Sequence, residues 1–206
     1  MRISGGILGG AVLKVPKGFD VRPTPDLVRQ ALFNSLGDRV ANTRVLELFA
    51  GTGALSLECL SRGATQVVCI EKAARHAAVM RANFESVGLT SDRLQVRLQD
   101  AFTAIHQLSA AGQRFDLILA DPPYGEKNVG RRSTSLAQRL LDEPALPSLL
   151  NEPGLFVLGH ARRDTVTLPP AWITLKELRH GDNIMRLLKP CRIPSPPAES
   201  DRSPDS

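Results

Sequence analysis

The chain has little cysteine, no long apolar run and no metal-ligand spacing. Its 206 residues contain three cysteines, Cys59, Cys69 and Cys191, none in a C-x-x-C pair. An odd count without a spacing pattern speaks against a disulfide framework and against a zinc site, so no metal is expected. Cys59 and Cys69 are expected to be small buried hydrophobes in a reducing, hence cytoplasmic, compartment. No stretch approaches the roughly 20 apolar residues of a membrane span, which excludes an integral membrane protein and leaves no membrane partner to expect. The opening MRISGGILGG has one Arg followed by a Gly-broken apolar stretch, so no secretory leader is expected. No internal repeat with a period of about 20–50 residues is visible.

Hydrophobic residues make up 42% of the chain and charged residues 23%, the balance of an ordinary soluble globular protein. The length fits one domain or a little more. Net charge is +5, and the excess sits at the front, where residues 1–44 hold seven Lys and Arg against three Asp and Glu. Arg outnumbers Lys 20 to 6. Guanidinium forks match phosphate and stack on bases, so a polyanionic partner and a generic solvated surface both fit the charge alone.

From residue 44 onward, strand-like and helix-like segments alternate. Arg44–Phe49, Gln66–Glu71, Leu94–Leu98, Phe115–Ala120 and Gly154–Leu158 read as short buried strands. Ala54–Arg62, Ala73–Val87 and Ala101–Leu108 read as helices, and Ser135–Leu150 as a helix interrupted at Pro144 and Pro147. Trp172–Arg179 and Ile184–Lys189 read as a closing strand pair around Gly181-Asp182. Such alternation predicts βαβ units, a doubly wound and mostly parallel sheet covered on both faces, and an antiparallel edge. The front differs. Ile3–Ile7 and Ala11–Val15 read as a small β-hairpin, and a helix runs from Thr24-Pro25 to Leu36 with Thr24 as its N-cap. The last 17 residues, PCRIPSPPAESDRSPDS, hold five Pro and four Ser and read as a disordered tail. The expected division is therefore a hairpin-and-helix extension over 1–40, an α/β domain over 41–189, and the tail over 190–206.

In open α/β sheets, ligands bind beyond the carboxyl ends of the strands. The residues at those ends are Glu47 to Gly53, Glu71, Asp100-Ala101 and Asp121 to Tyr124, so every candidate motif falls on one rim. Gly51-Thr52-Gly53 permits a tight turn and close approach of a ligand to the backbone. A dinucleotide site would favour a third glycine where this chain has Ser56. Glu47, at a buried strand end, needs a donor such as a ligand amine. Glu71 can accept both hydroxyls of a ribose, as in enzymes of nicotinamide cofactors and of S-adenosylmethionine alike. Its neighbour Lys72 is a cofactor contact or simply solvated. Asp100 is either a partner for an adenine amino group or the N-cap of the next helix.

Asp121-Pro122-Pro123-Tyr124 decides between those cofactors. Two prolines fix the backbone and remove two N–H donors. What remains is an edge of acceptors, the Asp121 carboxylate and the Pro122 carbonyl, beside an aromatic stacking face. Such an edge can take both hydrogens of a planar amino group and aim its lone pair at an electrophile. Hydride transfer needs none of this, which leaves a nucleotide-dependent oxidoreductase as a distant alternative. Lys127, Arg131 and Arg132, in the loop that follows, could grip phosphates or could form a plain solvated loop.

With these residues in view, the chain resembles the class I S-adenosylmethionine-dependent methyltransferases of the D-P-P-Y group. It is most similar to the bacterial 16S ribosomal RNA guanine-N2 methyltransferase family. The resemblance covers nearly all of residues 1–189: MRISGG, LKVP at Leu13–Pro16, RPTPDLVRQALFNSL, LELFAGTGALSLECLSRGA, FDLILADPPY and GDNIMRLL. It implies a seven-stranded Rossmann-like sheet and transfer of a methyl group to the N2 amine of a guanine in small-subunit ribosomal RNA. The protein is expected to act as a monomer on an assembling particle. By the same resemblance Glu47, Phe49, Gly51 and Gly53 cradle the methionine part of S-adenosylmethionine, Glu71 holds the ribose, and Asp100 with Ala101 the adenine. Asp121, Pro122, Pro123 and Tyr124 position the guanine amine, and Arg22, Thr24 and Arg29 belong to a segment beside the active site that meets RNA. This chain departs from the family in Ile7–Val12, which carries no basic residue, and in Val157-Leu158-Gly159-His160, where a Glu usually follows the strand. The D-P-P-Y tetrapeptide is shared with adenine-N6 and protein glutamine-N5 methyltransferases, and a non-catalytic RNA-binding scaffold is the alternative outside enzymes.

Overall fold

The computed structural model describes residues 1–15, 24–89, 92–125, 127–128 and 131–191. Seven strands form one sheet: β1 (Arg44–Leu48), β2 (Gln66–Glu71), β3 (Leu94–Leu98), β4 (Phe115–Ala120), β5 (Leu150–Ala161), β6 (Trp172–His180) and β7 (Asn183–Pro190), in the order β3-β2-β1-β4-β5-β7-β6. The first five run parallel, β7 pairs antiparallel with β5, and β6 pairs antiparallel with β7. This is the doubly wound α/β sheet with the antiparallel edge that the alternation predicts.

Period-2 alternation assigns each strand residue to a face. Val45, Val67, Cys69, Leu117, Leu119 and Val157 point to the core layer that contains α1 (Asp26–Leu36), α2 (Ala54–Ser61) and α3 (Ala74–Ser86). Leu46, Leu48, Val68, Ile70, Ile118, Phe156 and Leu158 point to the layer of α4 (Ala101–Ala110) and α5 (Leu136–Asp142). Both faces are apolar because both are covered, which is why these strands read as continuous hydrophobic runs. No helix among the described residues is long and apolar enough to cross a membrane.

Three expectations are corrected. The N-terminal hairpin reduces to one antiparallel bridge, Arg2 to Val12, with flanking bonds from Ile3 N to the Ala11 carbonyl (3.0 Å) and from Leu13 N to the Met1 carbonyl (2.9 Å). The segment between them turns and docks on the end of α2, where Ile7 N donates to the Ser61 carbonyl at 2.8 Å and Leu8 N to the Ser61 hydroxyl at 2.9 Å. The helix expected over Ser135–Leu150 ends at Asp142, and only a 3-10 turn, Pro147–Leu149, follows it. The fifth strand is longer than Gly154–Leu158: it starts at Leu150, absorbs a register shift against β4 between Phe115 and Leu117, and continues to Ala161.

Ile3, Leu13, Val28, Leu32, Phe33 and Val40 share one core with α2 and α3, so the described residues of the first forty are packed onto the sheet. At the other end Pro190 closes β7 opposite Trp172, one residue into the expected tail. Residues 192–206 of that tail lie outside the described residues.

Candidate active site

β1 and β4 are neighbours, but the helices that follow them go to opposite faces, α2 to one core layer and α5 to the other. The connections diverge there and leave a crevice beyond the two carboxyl ends, the switch point where open α/β sheets bind ligands. The loops Phe49–Gly53 and Asp121–Tyr124 flank it.

On the β1 side, Phe49 has a φ of 57° and the next two glycines, Gly51 and Gly53, have φ of 54° and 75°. A left-handed Phe is strained by its Cβ, and such strain clusters at ligand sites. At Gly53 the need for glycine is also steric, because an added Cβ would lie 2.6 Å from Met80 Cγ and 2.7 Å from Phe84 Cε2. Buried Asn83 pins this loop to the N-terminal segment, donating to the Thr52 carbonyl at 3.1 Å while its own Oδ1 accepts from Lys14 N at 2.8 Å. The Phe49 ring stands edge-on to Phe102, with centroids 6.4 Å apart.

Glu47 is buried at the end of β1, and its donor is internal: Ser56 offers both its hydroxyl and its backbone N–H (3.0 Å) to Oε2. Burial pushes the Glu47 carboxyl up to about 8, against the two lowering bonds from Ser56, with the negative charges of Asp121 and Glu71 raising it further. Glu71, buried at the end of β2, accepts from Gly51 N at 2.8 Å and from Ala73 N at 2.7 Å, which ties the glycine loop to the neighbouring strand. His76 Nδ1 lies 3.4 Å from Glu71 Oε1. Lys72 is exposed beside it. Asp100 is the N-cap of α4, its Oδ1 accepting from Phe102 N (3.0 Å) and Thr103 N (3.2 Å), with Ala101 buried behind it.

Across the crevice, Asp121 follows β4 and lies on the same face as Glu47. Its Oδ2 accepts from the Thr24 hydroxyl, while Oδ1 is buried and has no partner among the described residues. Burial pushes its carboxyl up to about 6, against the lowering bond from Thr24. The pairing explains a further departure: Pro25, not Thr24, is the N-cap residue of α1, and the Thr24 side chain is spent on Asp121. Pro122 is buried and Pro123 exposed, while the Tyr124 ring is 40% exposed with its hydroxyl donated to Asn183 Oδ1 at the start of β7. On the other flank Asp121 lies against β5, where a Cβ on Gly159 would be 2.3 Å from Asp121 Oδ1.

Of the basic residues, Arg29 is corrected. It is fully buried, so it cannot meet a phosphate; its guanidinium is shared among Glu58 (3.4 Å), Asp26 (2.9 Å) and the carbonyl of Thr24 (3.3 Å). Lys127, Arg131 and Arg132 are exposed, and Arg132 pairs with Asp142 at 2.6 Å. Arg22 lies outside the described residues. His160 is buried on β5 with its Nδ1 at 3.0 Å from the Ala161 carbonyl; burial, then Arg186, lowers its pKa. Cys59 and Cys69 are fully buried, and desolvation holds both thiols protonated.

Sequence reasoning did not single out Ser56, Asn183 or Gly159 as parts of the site. Ser56 was visible only as the place where a third glycine was lacking, and the other two come from strands far along the chain. A cavity of about 820 Å³ lies elsewhere, at the amino ends of β1, β4 and β5 among Thr43, Asp116, Gly154 and Ile173, and gathers none of these groups.

A family model described as Conserved hypothetical protein 95 matches residues 1–189. YlbH of Bacillus subtilis (strain 168) is 34% identical over 169 residues, which cover 82% of this chain and 86% of that one. The Escherichia coli (strain K12) protein named Ribosomal RNA small subunit methyltransferase D is 29% identical over 187 residues, covering 91% of this chain and 88% of its own. Among solved structures, the Escherichia coli protein yhhF superposes with a TM-score of 0.74 at 28% identity, covering 92% of this chain and 97% of that one. A hypothetical protein of Thermus thermophilus gives 0.73 at 30%, covering 92% and 99%. The chain therefore belongs to the Conserved hypothetical protein 95 family, the methyltransferase family that its motifs resemble.

Proposed function

We propose that this protein methylates small-subunit ribosomal RNA with S-adenosylmethionine, and that its acceptor is the N2 amine of a guanine. The single observation that carries the reading is the Asp121 carboxylate. It is half-buried at the switch point, beside the loop of left-handed Phe49, with Oδ1 buried and without a partner among the described residues. An orphaned buried acceptor costs about 1–3 kcal/mol, and an incoming N–H donor would remove that cost. The relatives named as ribosomal RNA small subunit methyltransferases supply the substrate class.

The residues present suit the cofactor. Glu47, Glu71 and Asp121 share one face at neighbouring strand ends, and Glu47, raised first by burial, is raised further by the charges of the other two. Such a cluster favours a cationic ligand over an anionic pyrophosphate. When bound, S-adenosylmethionine supplies an electrophilic methyl group on a sulfonium. Glu47 and the Phe49–Gly53 loop would hold its methionine part, Glu71 the ribose, and Asp100 with Ala101 the adenine.

On the acceptor side, Asp121 Oδ1 and the Pro122 carbonyl would each accept one hydrogen of the amine. That draws the nitrogen lone pair out of conjugation with the ring and stabilises positive charge as the N–C bond forms and the methyl–sulfur bond breaks; sulfur would leave as a neutral thioether and the surplus amine proton would pass to the Asp121 carboxylate. Tyr124, its hydroxyl held by Asn183, offers a stacking face worth about 1–3 kcal/mol per base. The base must leave its stack to reach this rim, and a loop base is the least costly to extrude. Lys127, Arg131 and Arg132, and Arg22 before α1, would hold the backbone phosphates. We take the monomer as the acting unit, an assembling small subunit as its target, and 1–40 as the part that faces RNA.

The test is methyl transfer from tritiated S-adenosylmethionine to small subunits from cells lacking the gene, with the product base identified by mass spectrometry. N2-methylguanine is expected. Asp121→Ala should abolish transfer, while calorimetry finds cofactor affinity within about tenfold of the unaltered protein's. Labelled adenine or labelled release-factor glutamine would replace the guanine assignment, and full turnover by Asp121→Ala would remove Asp121 from the mechanism.

A further inference from the structure

A chain of polar contacts runs from the interior of α2 to the site. Glu58, fully buried on α2, accepts from Arg29 Nε at 3.4 Å and also from Ser4 N at 2.7 Å. Arg29, fully buried on α1, donates to the Thr24 carbonyl at 3.3 Å and to Asp26 at 2.9 Å. The Thr24 hydroxyl donates to Asp121 Oδ2, and Asp121 Oδ1 is buried with no partner among the described residues. A buried guanidinium is costly to desolvate even when paired, so its place here calls for a reason beyond stability.

We propose that Thr24 is a positioning residue for methyl transfer: its hydroxyl occupies one oxygen of Asp121 and so presents the other to the acceptor amine, while Arg29 fixes Thr24. This rests on the reading of Asp121 given above. A carboxylate rotates broadly about its last torsion, and one oxygen tied down sets the plane of both. Gly159 closes the opposite side, since a Cβ there would sit 2.3 Å from Oδ1. The two halves of the chain thereby meet in one functional group, the N-terminal segment through Thr24 and the sheet through Asp121.

Among the described residues, few groups face Asp121. From β1 comes Glu47, which titrates at about 8 and so remains protonated while Asp121, at about 6, ionises. From the segment before α1 come Thr24 and, behind it, the Arg29–Asp26 pair. From β5 and β7 come Gly159 and the Met185 thioether, both uncharged. His160 and Arg186, next along those strands, alternate to the other face.

Thr24→Val keeps the shape and removes the donor; Thr24→Ser keeps the donor; Thr24→Ala is the second donor-free variant if the valine does not fold. The Asp121 carboxyl is titrated by carbon-13 NMR, and kcat/KM is measured against pH on the small-subunit substrate. In the donor-free variant both the NMR midpoint and the acid limb of kcat/KM should rise together by about one pH unit. That is about tenfold lower kcat/KM on the acid side, added to a loss of kcat from the untethered carboxylate that persists at high pH. Thr24→Ser should restore the original limb. An unmoved midpoint, or a kcat fully restored at high pH, would overturn the positioning role. Absence of methyl transfer by the unaltered protein would instead overturn the proposed function, so the two failures are told apart by the control.

Discussion

Glu47→Gln should flatten the dependence of stability on pH in the ligand-free protein. The group is buried, with a carboxyl pushed from 4.5 to about 8. Its folded value lies above its unfolded value, so the folded state keeps a proton that the unfolded state has released. Stability therefore falls as pH rises, beginning near the unfolded value of 4.5 and levelling off above about 8. Each pH unit between the two values is worth about 1.4 kcal/mol, so the whole effect has an upper bound of about 5 kcal/mol. Asp121, raised from 3.8 to about 6, adds the same sign over the lower part of that window. The two carboxyls repel each other, so their contributions do not simply add. Glu47→Gln keeps an oxygen for the Ser56 hydroxyl and amide while removing the titration. Urea unfolding of both proteins at pH 5 and pH 8 gives the comparison: the unaltered protein should lose several kcal/mol more than the variant across that range. For a domain of this size that is roughly 2–4 °C of melting temperature per kcal/mol. A cationic ligand beside Glu47 favours its ionised form, so S-adenosylmethionine should narrow the difference and release a proton on binding below pH 8. Identical pH profiles for the two proteins would refute the assignment of the raised carboxyl to Glu47.

Two substitutions separate the two halves of the rim. Glu71→Ala frees the amides of Gly51 and Ala73 as well as the proposed ribose site, and should weaken cofactor binding about 10- to 100-fold by calorimetry. Unchanged affinity would remove Glu71 from the cofactor site. Gly159→Ala puts a carbon 2.3 Å from Asp121 Oδ1, so the carboxylate must move. It should lower kcat about 100-fold with cofactor affinity kept, and a variant as fast as the parent would show that the alignment of Asp121 is immaterial.

Local order was legible where one kind of signal ran unbroken. β2, β3 and β4 are found at the bounds read from the sequence, because a polar residue ends each apolar or alternating run: Glu71, Gln99 and the Asp of Asp-Pro-Pro. β5 was not, because Pro153-Gly154 reads as a break although the strand passes through it. The hairpin failed for the opposite reason: its glycines admit a turn, and the docking surface that selects that turn, Ser61, lies some fifty residues away. Arg29 was misread by the same mechanism. A basic residue four positions into a helix looks solvated until Glu58, on the next helix, is brought beside it.

The site shows the same division between residue type and partner. The rim could be written down from strand ends alone, since a doubly wound sheet carries all its ligand groups to one side. What the strand ends do not contain is who satisfies whom. Glu47 looked like a carboxylate awaiting a ligand amine, and Ser56, nine residues on, meets it from inside the protein. Thr24 looked like a helix cap, and its hydroxyl is given to Asp121 instead. These reassignments sharpen the chemistry: with Glu47 and Glu71 both engaged by the protein's own donors, Asp121 Oδ1 is the oxygen of these three carboxylates that, among the described residues, is buried without a partner. A flat amine entering the crevice would meet its acceptor there.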